Sequence, residues 1–158
     1  PLGAMSKDAK VFEAKKCIED GASEIDMVIN VGFMKSCMYA EVEQEIAEIK
    51  KAIGSNVLKV IIENCYLTDE EKKLACEMCL RAGADFVKTS TGFGTGGATL
   101  EDLKLMKSVV GDKIKIKAAG GVKDLETAAK FIEAGANRLG TSSGVQLMTT
   151  EKMKEGEY

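Results

Sequence analysis

Three lysines recur at equal intervals inside apolar, strand-like segments of the sequence. Lys59 lies in LKVIIE, Lys88 in FVKTST and Lys117 in IKIKAAGG, and each follows the last by 29 residues. Strand–helix units of constant length would place these lysines side by side in a parallel sheet. Burial and a neighbouring cation both favour the neutral amine, which attacks carbonyl groups to form a Schiff base. The spacing predicts such a site, although a single strand lysine also fits an edge or snorkelling role.

A carboxylate stands in another apolar segment, EIDMVIN, where Asp26 is flanked by Ile25 and Met27. Buried acids are seldom left unpaired, so Asp26 is expected either to form an internal ion pair with one of the lysines or to shuttle protons. The two roles overlap, because a carboxylate beside a lysine also tunes its pKa. Strand alternation places Glu63 on the same face as Lys59, which makes it a weaker candidate for the same work, with no role assigned.

The sequence contains no histidine, and this restricts its chemistry. Ser-His-Asp triads, histidine general bases and most zinc hydrolase sites are excluded, so lysine, carboxylate, hydroxyl or thiol groups must carry any reaction. Cys76 and Cys79 form a CxxC pair in a helical segment, but no second pair completes a zinc site. We expect buried or half-buried thiols, and no metal or cofactor.

The composition is typical of one globular domain that acts on small molecules. The chain has 158 residues, 45% of them hydrophobic and 30% charged, which suffices for a core. A net charge of -3 and 5% aromatic residues argue against a nucleic-acid surface. No apolar run approaches the roughly 20 residues of a membrane span, and no N-terminal segment suggests export. We therefore expect a cytoplasmic protein without nucleic-acid or membrane partners.

The elements that position these residues follow from recurring glycines. Glycines precede five apolar strand candidates at intervals of 24 to 33 residues: Gly21, Gly54, Gly83, Gly111 and Gly135. Helical patterns such as EVEQEIAEIKKAIG and DLETAAKFIEAG fill the intervals. Repeated strand–loop–helix units predict an α/β fold with a parallel sheet and right-handed crossovers. Five units are visible, whereas a closed (β/α)8 barrel of about 250 residues has eight, so the pattern fits an open sheet or part of a barrel.

Two loops after the last predicted strands contain residues suited to binding a phosphate group. Glycines allow close backbone approach, a lysine adds positive charge, and serines at a helix N-terminus present amides and hydroxyls. Adjacent loops at the carboxyl ends of the last strands are the usual phosphate site of a barrel. The predicted set comprises Gly120, Gly121 and Lys123 of AAGGVKD and Gly140, Ser142 and Ser143 of LGTSSGV.

A third loop, GFGTGG, matches the dinucleotide pattern GxGxxG at Gly92, Gly94 and Gly97. That fingerprint also needs an acidic residue at the end of the next strand, where it binds the ribose. Asp112 precedes that strand, which ends near Lys117. The match to a nucleotide fold is therefore incidental.

The chain resembles the deoxyribose-phosphate aldolase family. The resemblance runs from Pro1 to about Met148 and includes, in the family's order and spacing, FEAKK, GASEIDMVIN, LKVIIE, LTDEEK, AGADFVKTSTGFGTGGAT, KAAGG and GTSSGV. The segment FVKTSTGF followed by TGG is highly specific. The resemblance implies a (β/α)8 TIM barrel and a class I, Schiff-base aldolase, a lyase that needs no metal.

The resemblance also assigns roles to the residues singled out above. It implies reversible cleavage of 2-deoxy-D-ribose 5-phosphate to D-glyceraldehyde 3-phosphate and acetaldehyde. Lys88 matches the Schiff-base lysine, Lys117 the second active-site lysine that lowers the pKa of Lys88, and Asp26 the proton-relay aspartate. Lys59 matches a further lysine that lines the site. The phosphate-contacting loops correspond to Gly92, Gly120, Gly121, Lys123, Gly140, Ser142 and Ser143.

Family members begin with about three further strands, so we expect residues 1–148 to form a partial barrel and residues 149–158 a polar tail. The opening PLGA would then be native sequence. Such a piece would expose two sheet edges, and we expect little activity unless a partner chain or a further segment closes the barrel. The alternatives are a non-catalytic phosphosugar-binding fragment and another Schiff-base barrel aldolase, similar to transaldolase. A homo-oligomer is one option for the assembly.

Overall fold

The computed structural model describes residues 1–149. Within these residues the chain forms seven α-helices and five strands, and a short 3-10 helix, Asn64–Tyr66, follows the second strand. The strands are β1 (Glu24–Val28), β2 (Val57–Ile61), β3 (Phe86–Lys88), β4 (Lys115–Ala119) and β5 (Arg138–Gly140). The helices are α1 (Lys7–Glu19), α2 (Val31–Lys35), α3 (Tyr39–Ile53), α4 (Asp69–Arg81), α5 (Leu100–Val110), α6 (Leu125–Glu133) and α7 (Gly144–Thr149). Beyond Thr149, the predicted polar tail lies outside the described residues.

The helices α4, α5 and α6 begin where the sequence provides a capping side chain. The Thr68 hydroxyl accepts the backbone N–H of Glu71, and the Glu71 carboxylate accepts the N–H of Thr68, which forms a capping box before α4. Thr99 and Asp124 cap α5 and α6 in the same way, each accepting an N–H three residues on. Local sequence therefore fixes where these three crossover helices start after their loops.

The five strands form one parallel sheet in the order β1-β2-β3-β4-β5. This order confirms the predicted α/β fold of consecutive strand–helix units. Apolar residues of the strands alternate with the lysines, and the core lies where they meet α3, α4 and α5. Fully buried members include Ile46 of α3, Leu58 of β2, Val87 of β3 and Ile116 of β4. No helix within residues 1–149 is long and apolar enough to cross a membrane.

The strand register corrects one prediction about the lysines. Lys88 and Lys117 are direct partners across β3 and β4, as their spacing predicts. Lys59 is instead aligned with Phe86, and the β2 partner of Lys88 is Ile61. The prediction of three lysines side by side is therefore wrong for Lys59, because the unit from β2 to β3 is two residues shorter than the unit from β3 to β4. Lys59 lies one inward-facing position lower in the sheet.

The sheet is curved enough for its outer strands to interact. Arg138 of β5 donates to the Glu24 carboxylate of β1 at 2.7 Å. These strands are separated in the hydrogen-bonded order by β2, β3 and β4. The inward-facing side chains of all five strands therefore surround one space, as in the wall of a barrel.

Candidate active site

Asp26 lies at the centre of the three predicted lysines. Its Oδ1 is 2.6 Å from Lys59 Nζ, and its Oδ2 is 2.6 Å from Lys88 Nζ. Lys117 Nζ is 3.4 Å from the same Oδ2. Asp26 is aligned with Lys59 on the neighbouring strand, whereas Lys88 and Lys117 reach down to it from the next inward-facing level. The long lysine side chains thus compensate for the difference in register.

A second carboxylate gives Lys59 a different environment from the other two lysines. Glu24 Oε2 is 2.7 Å from Lys59 Nζ and also accepts from Arg138. Burial disfavours the charge on Lys59, but the hydrogen bonds that it donates to Asp26 and Glu24 outweigh this effect and raise the pKa of Lys59 above the ordinary value. Lys59 is therefore held as an ammonium ion.

The pKa of Lys117 is shifted in the opposite direction, below the ordinary value. Burial lowers its pKa, and the positive charges of Lys88 and Lys59 add to this effect against the attraction of Asp26. Burial opposes ionisation of Asp26, but hydrogen bonds from Lys59 and Lys88 dominate and hold its pKa at about 2. The site thus combines a carboxylate that is ionised at neutral pH with a lysine that releases its proton more readily than an ordinary lysine.

A cavity of about 540 Å³ opens beside Lys88 and Lys117 at the carboxyl ends of the strands. Lys59 and Asp26 do not line it. The predicted loop residues all do, together with Thr91: Gly92, Gly120, Gly121, Lys123, Gly140, Ser142 and Ser143. The structure therefore brings together two lysines and three glycine- or serine-containing loops around one space large enough for a small metabolite.

Packing, not cofactor binding, accounts for two glycines of GFGTGG. A Cβ on Gly94 would lie 2.8 Å from Cys65 Sγ, and a Cβ on Gly97 would lie 2.7 Å from the Gly120 carbonyl carbon. Any larger residue would push the loop away from the end of β2 or from the loop after β4. These contacts explain the second and third glycines of the GxGxxG match without a dinucleotide.

A model of the DeoC/LacD family aldolases matches residues 3–148. The chain belongs to this family. Among its relatives, the deoxyribose-phosphate aldolase of Clostridioides difficile is 60% identical over 151 residues, which cover 96% of this chain and 69% of that protein. The deoxyribose-phosphate aldolase of Thermococcus kodakarensis is also 60% identical over 151 residues, 94% of this chain and 67% of that protein. The family resemblance predicted from the motifs is confirmed.

Solved structures agree with the fold of this DeoC/LacD aldolase. An aldolase named QR15 superposes with a TM-score of 0.89 at 51% identity, over 93% of this chain and 66% of that one. The deoxyribose phosphate aldolase of Aeropyrum pernix, described as a unique tetramer, superposes with a TM-score of 0.82 at 33% identity. The match covers 94% of this chain and 63% of that chain. The chain thus spans about two thirds of the length of its relatives.

Glu63 occupies a position in this DeoC/LacD aldolase that the sequence pattern did not indicate. Strand β2 ends at Ile61, and Glu63 has left-handed backbone angles, φ 52° and ψ 66°. Its carboxylate contacts Thr91 at the start of the GFGTGG loop rather than the lysine cluster. The pattern VIIE looks like a regular strand, and only the isolated acid at its end signals a special role.

The cysteines of the CxxC pair are buried, as predicted. Burial raises the pKa of Cys76 to about 12 and that of Cys79 well above its ordinary value, so both stay protonated. Within residues 1–149 no group of three His, Cys, Asp or Glu side chains is arranged to hold a metal ion.

Proposed function

We propose that the chain catalyses the reversible cleavage of 2-deoxy-D-ribose 5-phosphate to D-glyceraldehyde 3-phosphate and acetaldehyde through a Schiff base at Lys88. One observation carries the proposal: Lys88 and Lys117 share the carboxylate of Asp26 and line the same cavity as the glycine and serine loops. The names of the relatives, deoxyribose-phosphate aldolases, support the choice of substrate.

Lys88 supplies the nucleophile. It is the last residue of β3, only 9% of its surface is exposed, and its side chain borders the cavity. Its neutral amine adds to the C1 aldehyde of the open-chain sugar to give a carbinolamine. Protonation of the carbinolamine hydroxyl and loss of water then leave a protonated imine.

The imine then acts as the electron acceptor for bond cleavage. A base takes the proton of the C3 hydroxyl, the C2–C3 bond breaks, and its electron pair moves through C1 to the nitrogen to form an enamine. C3 becomes the aldehyde of D-glyceraldehyde 3-phosphate. Protonation of the enamine at C2 and hydrolysis release acetaldehyde and restore the amine of Lys88.

Lys117 and Asp26 move the protons. Lys117, with its lowered pKa, exists as a neutral amine more often than an ordinary lysine and accepts the proton that Lys88 must lose. Asp26 accepts hydrogen bonds from both amines and keeps them within reach of each other or of a shared water. Lys59 keeps Asp26 ionised and oriented. Its role is electrostatic, since ion pairs with two carboxylates keep Lys59 protonated.

The loops around the cavity would bind the phosphate. Backbone amides of glycine loops approach phosphate oxygens closely, and Lys123 adds positive charge. The predicted members of this set are Gly92, Gly120, Gly121, Lys123, Gly140, Ser142 and Ser143. Residues 1–148 form the catalytic domain in this proposal. A cytoplasmic location and a homo-oligomeric assembly remain predictions.

Borohydride trapping with acetaldehyde tests the proposal. We expect one ethyl group on the chain, located at Lys88 by peptide mapping, and no adduct in Lys88→Met. Lys115→Met is the matched control, because Lys115 is on a neighbouring strand but does not contact Asp26. An adduct at Lys117, or none anywhere, would contradict the assignment.

A non-catalytic phosphosugar-binding role is the second candidate, favoured by the sheet edges that β1 and β5 leave open within residues 1–149. Tight binding of deoxyribose 5-phosphate without release of acetaldehyde would support it. Turnover of fructose phosphates in preference to deoxyribose phosphate would instead indicate a transaldolase-like enzyme.

A further inference from the structure

Glu63 is held in a strained backbone conformation with no exposed surface. Its φ of 52° lies in the left-handed region, which residues other than glycine seldom adopt. The residues on either side pair with β3 and its continuation: Ile62 N donates to Lys88 O at 3.0 Å, and Asn64 N donates to Thr89 O at 2.9 Å. Strain of this kind persists where the surrounding structure imposes it, and it clusters at functional sites.

The strained backbone directs the Glu63 carboxylate onto one residue, Thr91. Thr91 N donates to Oε1 at 3.1 Å and to Oε2 at 3.3 Å, and the Thr91 hydroxyl donates to Oε2. The same hydroxyl accepts the N–H of Phe93 at 3.0 Å. The carboxylate therefore fixes Thr91, and through it the first turn of the GFGTGG loop.

The loop also rests on the Glu63 side chain directly. A Cβ on Gly94 would lie 3.3 Å from the Glu63 carboxyl carbon and Oε1, so the loop backbone passes close over the carboxylate. Thr91 and Gly92, the two residues at the start of the loop, line the cavity beside Lys88. A buried carboxylate that contacts neither amine thus sets the shape of one wall of that cavity.

We propose that Glu63 is a positioning residue that holds the Thr91–Gly97 loop in the shape that binds the substrate phosphate. The inference rests on the proposed function for the identity of the substrate, but its contacts are independent of the lysine cluster. Glu63 acts through Thr91, and it takes no part in proton transfer to the imine.

Binding of sn-glycerol 3-phosphate, which carries the phosphate but cannot form an imine, tests this role by calorimetry. Glu63→Ala should weaken binding about tenfold, since a hydrogen-bonded charged acceptor is lost beneath the loop. Glu63→Gln keeps an acceptor for Thr91 N–H and should retain most of the affinity. Glu63→Gly relieves the backbone strain yet lacks the carboxylate, so it should bind as weakly as Glu63→Ala.

Glu71→Ala is the matched control. Glu71 also accepts a threonine N–H, that of Thr68 at 2.7 Å, but it does not line the cavity, so its loss should leave binding unchanged. Wild-type affinity in Glu63→Gly, or no binding of glycerol phosphate by the unsubstituted chain, would overturn the inference.

Acetaldehyde trapping at Lys88 separates this inference from the proposed function. We expect all three Glu63 variants to be trapped as fully as the unsubstituted chain. A loss of trapping that parallels the loss of affinity would show a general disruption of the site and overturn the positioning role. If the unsubstituted chain is not trapped but the affinity series holds, the aldolase proposal fails and the role of Glu63 in phosphate binding stands.

Discussion

Lys59, Lys88 and Lys117 contact the same carboxylate, and their surroundings give them different tasks. Lys59 has two carboxylate partners and a raised pKa, whereas Lys117 has one distant partner, the charge of Lys88 nearby and a lowered pKa. Sequence spacing identified all three as a group. It could not predict which lysine has a raised pKa and which a lowered one. That difference depends on burial and on Glu24, which shows no special pattern in the sequence.

The pH dependence of cleavage should therefore respond to Lys59. Lys59→Met removes a positive charge near Lys117 and leaves Asp26 freer to attract it, and both changes raise the pKa of Lys117. Because Lys117 acts as a neutral amine, the rise of the cleavage rate with pH should move to higher pH. Rate measurements across the acid side of the profile check this.

Lys115→Met is the control for that shift. Lys115 lies on the same strand as Lys117, with its amine over the Phe86 ring at 5.7 Å. The profile of this variant should match that of the unsubstituted chain. A shift to lower pH in Lys59→Met would show that Lys117 is not the group that titrates.

At the scale of elements, the sequence predicted which segments form strands but not their alignment. Each of the five glycine-preceded segments contains a strand, because apolar runs and turn residues are local signals. The position of Lys59 one level below Lys88 depends on the length of the loops around α4. Equal spacing in the sequence does not report that length. Likewise, the left-handed turn at Glu63 accompanies a contact with Thr91, which is distant in sequence.

A buried ion pair joins the outer helices to β1. Lys10 of α1 lies 2.8 Å from the Glu45 carboxylate of α3 and donates to the Val28 carbonyl at 2.8 Å. Burial lowers the pKa of Lys10 and raises that of Glu45, so the environment disfavours both charges. We therefore expect the pair to add little net stability, and we infer that it specifies how the helices dock.

Breaking this pair should be far more harmful than replacing it. Lys10→Met leaves the buried Glu45 carboxyl without its lysine partner, and we expect a loss of about 3–5 kcal/mol in the free energy of unfolding. The double variant with Glu45→Leu should recover most of that loss, since no buried charge remains. Urea unfolding of both variants provides the measurement. Equal losses in the two would mean that the ion pair itself stabilises the fold.

At the scale of the whole molecule, one chain of ion pairs connects all five strands. Asp26 links β1 to the lysines of β2, β3 and β4, and Glu24 links Lys59 to Arg138 of β5. The charges that prepare the site therefore also connect the strands that surround it. This connection across the sheet was not predictable from the sequence, because it depends on curvature that brings β5 towards β1.

This network makes acid stability a property of the site. Hydrogen bonds from Arg138 and Lys59 lower the pKa of Glu24 to about 2, and that of Asp26 is also about 2, both below the values of an unfolded chain. A depressed carboxyl pKa contributes stability above its unfolded value and loses it as the pH falls through its folded value. The free energy of unfolding should therefore decline between about pH 5 and pH 2.

Two variants test this decline. Glu24→Gln should flatten it, whereas Glu70→Gln, which removes an exposed ion pair with Lys73 on one helix, should not. An unchanged slope in Glu24→Gln, measured by urea unfolding at each pH, would show that the ion pairs of Glu24 do not contribute to acid stability.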